Sequence, residues 1–75
     1  MKAQFEFSAE VSGKKHFLIL PSSNIEITKK TAEKTALQLI KHNLINCWMY
    51  FGSTDVTLRI FSEQTTLLSA KFKTY

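Results

Sequence analysis

The run Thr28–His42, TKKTAEKTALQLIKH, is the one segment whose spacing reads as a long helix, and it constrains everything around it. At about 100° per residue, Leu39, Ala32, Ala36, Ile40, Leu44 and Leu37 fall on one broad apolar stripe, while Lys30, Lys34 and Lys41 gather on the other side. A helix with one apolar face must lie on something, and a lone helix supplies only one side of a core. Thr28 is placed to cap the free backbone N–H groups at its start, with Ile27 reaching Ala32 as a hydrophobic staple. Asn43 is placed to end it, because asparagine tolerates the left-handed conformation common after a last turn.

The flanking sequence reads as strand. Ala3, Phe5, Phe7, Ala9 and Val11 alternate with Lys2, Gln4, Glu6, Ser8 and Glu10, the pattern of a half-buried strand. Ser12 to Lys15 forms a turn, His16 to Leu20 a short second strand ended by Pro21, and Pro21 to Asn24 a second turn cluster. Ile25, Glu26 and Ile27 lead into the helix. Beyond Asn46 the run CWMYF is aromatic-rich and too short for a new helix, and Gly52 to Asp55 closes it, so it reads as a central strand. Val56 to Phe61 alternates again, Ser62 to Thr65 turns, and Leu67 to Tyr75 gives a last strand. The expected fold is α+β: a single helix packed on an antiparallel sheet of about five strands, in the order β-β-α-β-β-β, with residues 1–75 as a single domain.

A chain of 75 residues buries only about 60–65% of the surface its unfolded form exposes, so its stability is modest. Its 44% hydrophobic content and nine aromatics argue for a folded globule. The single cysteine, Cys47, cannot form an internal disulfide, which points to a reducing cytoplasm. MKAQFEFSAE lacks the unbroken apolar run of a signal peptide, and no stretch approaches a membrane span of about 20 apolar residues. The expectation is therefore a cytoplasmic chain without a membrane partner. Ten basic against six acidic residues give +4, a balance that suits an anionic partner and equally serves solubility. Nine of the ten basic residues are lysine, which weighs against base-specific reading by the planar arginine fork.

One helix covers one side of a sheet, so the other side should be polar in a free monomer. If Cys47, Met49 and Phe51 point toward the helix together with Val56, Leu58, Ile60, Leu68, Ala70 and Phe72, the outer face carries Trp48, Tyr50, Arg59, Phe61, Lys71, Lys73 and Tyr75. Rings mixed with cations describe a partner surface. Bases stack on such rings for roughly 1–3 kcal/mol each while cations hold phosphates, and Trp, Tyr and Arg are enriched at protein interface hot spots. The same rings would also stabilise a sheet as cross-strand pairs with no ligand. A slip of one residue would exchange inner and outer sets, exposing Cys47, Met49 and Phe51 instead.

No residue set specifies a reaction. His16 and His42 lack further ligands at metal-binding spacing, and His42 falls where the last helical turn would be, a position where an imidazole complements the helix dipole. Cys47, among bulky apolar neighbours, reads as a small buried thiol. Asp55 with Ser53 and Thr54 is turn chemistry, and Glu6 and Glu10 are ordinary solvent positions of a strand. Two glycines separated by most of the chain cannot make a phosphate-binding loop. The expectation is no enzyme, no metal and no cofactor.

A lone helix ending in LQLIKH before a C-terminal meander containing VTLRIF resembles the compact proteins that phages and mobile elements encode against host defence, including some anti-CRISPR proteins. The resemblance covers most of the chain and is one of architecture. It implies a non-enzymatic, stoichiometric inhibitor that occludes a surface of a nucleic-acid-processing complex. Many such inhibitors are acidic, whereas +4 suits an acidic protein patch or nucleic acid itself. Aromatics on an open sheet are also similar in principle to the RNA-recognition motif, although INCWMYFG does not reproduce that family's glycine-containing signature. Three readings result. The chain binds a macromolecular protein partner through its outer sheet face or the Lys30, Lys34 and Lys41 stripe; it binds single-stranded nucleic acid directly; or the same face closes a homodimer.

Overall fold

The computed structural model describes residues 3–23, 28–63 and 65–75. Lys2, Asn24 and the Ile25–Ile27 lead, with the staple expected of Ile27, lie outside the described residues. The elements are β1 (Ala3–Val11), β2 (Lys14–Ser23), α1 (Lys29–Phe51), β3 (Asp55–Ser62) and β4 (Thr65–Lys73). Every neighbouring pair is antiparallel, and the strands lie in the order β2-β1-β3-β4. One helix on an antiparallel sheet is therefore the architecture, but with four described strands where the sequence reading has about five.

The strand expected of CWMYF does not exist, because those residues are the end of α1. Three physical reasons make the helix 23 residues long. First, Ala32, Ala36, Cys47 and Phe51 are all buried and Asn43 is half-buried, so helical spacing on the inward side runs unbroken to the end. The strand preference of aromatic residues is a weaker influence than this packing. Second, Asn43 does not stop the helix, since its Nδ2 donates to the Leu39 carbonyl at 2.8 Å and so bonds one turn back within it. Third, no proline and no glycine stands between Lys29 and Phe51, so nothing in the backbone interrupts the helix before Gly52. The observed stop is Gly52, at φ 84, whose N–H donates to the Trp48 carbonyl at 2.8 Å. His42 consequently sits in mid-helix, away from the negative end of the dipole.

The helix start is as expected at Thr28, whose backbone N–H donates to the Thr31 Oγ1 at 3.0 Å. The apolar stripe is narrower than its spacing implied. Small Ala36 and Cys47 pack into the core with the sheet, Ala32 is buried, Leu39 and Ile40 are half-buried against that core, and Leu37 and Leu44 lie in solvent.

Inward and outward sets on the other strands are those the alternation implies. Phe5, Phe7, Val56, Leu58 and Ile60 are buried, and Leu68, Ala70 and Phe72 lie opposite Ile60, Leu58 and Val56 in register. The rings of Phe7 and Phe72 meet edge to face with centroids 5.9 Å apart. Both ends of the first hairpin differ from the sequence reading. Its turn is only Ser12 and Gly13, both at positive φ, the geometry that matches strand twist in two-residue hairpins. At its other end β2 continues past Pro21, with an extra residue between the partners of Ala3 and Phe5. A bulge on an edge strand is where proline's missing N–H is tolerated.

Candidate partner-binding surfaces

With its inward line committed to the core, α1 turns six large apolar side chains outward: Leu37, Leu44, Ile45, Trp48, Met49 and Tyr50. Ile45 and Met49 are 71% and 73% exposed. Leu37, Lys41, Leu44 and Trp48 recur at intervals of four, three and four and so run along one side, which exposed Lys30 and Lys34 extend toward the N-terminus, so the lysines share a flank with Leu37 and Leu44 instead of lying opposite them as expected. The Trp48 Nε1 donates to the Ser53 Oγ at 3.3 Å, and the Tyr50 ring stands edge-on to Phe51 at 4.9 Å. On the other flank of α1 Leu18, Leu20, Asn43, Asn46, Met49 and Tyr50 line a groove of about 340 Å³ between β2 and α1. Exposed apolar side chains gathered at helical spacing, as Leu37, Leu44, Ile45, Trp48 and Met49 are, mark an interaction site more often than scattered single residues do.

The outer sheet face is different in kind. Arg59 lies over the Phe61 ring at 4.3 Å, with its Nη2 3.6 Å from the Glu6 Oε2 and its Nε buried without a partner. Lys73 lies over Tyr75 at 5.5 Å and Lys15 over Phe17 at 5.6 Å. The β1–β3 register runs from Gln4 opposite Phe61 to Ser8 opposite Thr57 and no further. Beyond it a cleft of about 570 Å³ opens, with Glu10 and Asp55 among its lining and Lys15, Lys71 and Lys73 around it. Cations and carboxylates alternate over this face, so it has no single sign.

The residues expected to form one binding face thus divide between two surfaces. Arg59, Phe61, Lys71, Lys73 and Tyr75 belong to the sheet or its end. Trp48 and Tyr50, expected beside them, stand on α1 with Lys30, Lys34 and Lys41. The sequence reading misses Leu37, Leu44 and Met49, assigned inward, and Ile45, Phe17 and Ile19, assigned nowhere. Carried through to Phe51, helical spacing alone separates the first four from the Ala32, Ala36 and Cys47 line.

Reactive chemistry is sparse among the described residues. Cys47 is fully buried, and burial pushes its thiol up to about 11, the opposite of an activated nucleophile. His16 and His42 are exposed on different elements, and no group of three or more His, Cys, Asp or Glu side chains among the described residues could hold a metal ion. No helix among them is long and apolar enough to cross a membrane.

Comparison with known protein families, curated proteins and solved structures finds no match to this chain.

Proposed function

We propose that the chain is a small non-enzymatic binding protein that works by covering a surface of a protein partner with the outward face of α1. The observation that supports this is the exposed run of Leu37, Leu44, Ile45, Trp48 and Met49 on a helix whose other side is already packed. Trp and Tyr within such a patch are typical interface anchors. Stoichiometric occlusion is also the mode that the architectural resemblance to phage-type inhibitors suggests. The test uses the double variant Ile45→Asp, Met49→Asp, whose positions are open enough for folding to survive, as circular dichroism would check. Tagged wild type and variant are compared for capture of partner protein from the producing cell. Loss of capture in the variant supports the reading. Capture that survives in the variant, yet disappears on Arg59→Ala with Phe61→Ala, moves the working surface to the sheet and overturns it.

Direct binding of single-stranded nucleic acid is the second reading, favoured by the three cation-over-ring pairs on the outer sheet face. Glu6, Glu10 and Asp55 on or beside that face oppose it by repelling phosphates. Oligonucleotide titration at low salt decides it: binding requires a log–log salt slope near −0.7 per phosphate contact, and unchanged oligonucleotide mobility removes the reading.

A further inference from the structure

We infer, building on the α1 reading above, that the segment of the partner seated on this face is an acidic amphipathic helix. Leu37, Lys41, Leu44 and Trp48 follow the four-three-four spacing with which one helix presents a seam to another. From Leu37 to Trp48 the seam is about 17 Å long, three turns of a helix. Two leucines and a half-exposed tryptophan supply the apolar contacts. The charges specify the occupant. Lys30, Lys34 and Lys41 are all exposed on this side of α1, against a single carboxylate there, Glu33, one turn before Leu37 and the only acid in the whole helix. A helix with leucines along one stripe and carboxylates beside them matches both features. A second copy of this chain matches the first alone, since it would bring the same lysines and a further charge of +4.

Trp48 is the chain's only tryptophan and stands in the seam, so its emission reads occupancy directly. The full chain is titrated with a synthetic helical peptide carrying leucine at heptad seam positions and glutamate at flanking ones. Controls are a peptide of the same leucine pattern with lysine for glutamate, and a scrambled glutamate peptide. A saturable blue shift with the patterned glutamate peptide alone is expected. The variant Lys30→Glu, Lys34→Glu, Lys41→Glu should lose about tenfold in affinity for it, the combined effect of three exposed ion pairs, and should gain the lysine peptide. Equal binding of both patterned peptides, or of neither, overturns the inference. So does a blue shift on concentration alone with a dimer in sedimentation, which makes the occupant a second copy. A shift with anionic lipid vesicles and not with the peptide overturns it in favour of a membrane surface. These outcomes leave the α1 surface in place, whereas partner capture insensitive both to Ile45→Asp, Met49→Asp and to Leu37→Asp, Trp48→Ala removes the surface itself.

Discussion

Gly52 lies at φ 84 and ψ −165, a region essentially closed to residues with a side chain, yet an added Cβ would meet nothing within 4 Å. Its constraint is therefore wholly one of backbone. Gly52→Ala should cost about 1–3 kcal/mol in urea unfolding, while D-alanine at the same position, introduced by chemical synthesis, should cost almost nothing. Cys47 carries a different kind of constraint. Its thiol keeps its proton up to about 11 because burial penalises the thiolate, against an ordinary value of 9.0. As pH rises from 9.0 toward about 11, the unfolded chain loses a proton that the folded chain retains, so this group's stabilising contribution is full below that window and falls across it. Cys47→Ala should flatten that part of the stability–pH curve. In the wild type, a thiol-specific reagent at neutral pH should react only as fast as the protein opens.

At the scale of elements, the join between α1 and the sheet depends on Thr74, just beyond β4. Its Oγ1 accepts from the Thr54 N–H at 3.0 Å and lies 2.7 Å from the Gly52 carbonyl and 3.1 Å from that of Thr54, with one proton to donate between them. The Thr74 N–H also donates to the Thr54 carbonyl at 3.1 Å. Thr74→Val would leave the half-buried Thr54 N–H without that acceptor and should cost about 1–3 kcal/mol by denaturant melt, with Thr74→Ser retaining most of the stability. No local pattern signals this long-range tie. The strands were legible where alternation was strict, as in Phe5, Phe7 and Val56, Leu58, Ile60, because period two admits one inward set. The helix start at Thr28 was legible from its capping chemistry. Its end was not, because Asn43 can either stop a helix or bond back into it, and tertiary packing decides between the two. That single misplacement carried Trp48 and Tyr50 onto the sheet and left Ile45 and Met49 unrecognised as surface.

For the molecule as a whole, 75 residues imply a total stability of about 4–11 kcal/mol. Phe7 is fully buried at the centre of the sheet, against Phe72. Phe7→Ala should cost about 3–5 kcal/mol, a large share of that total, and should lower the unfolding midpoint by calorimetry or circular dichroism. The distribution of pairing adds a kinetic consequence. Each hairpin closes locally, but the β1–β3 ladder between them joins residues separated by roughly fifty positions, which makes its loop closure the entropically demanding step. Continuing its register past Ser8 and Thr57 would set Glu10 against Asp55, two carboxylates whose direct opposition weakens a strand pair. The sheet thus has a built-in starting point for separation, and its two hairpins should part from the Glu10–Asp55 end, like a zip opened from the side that never fully closes.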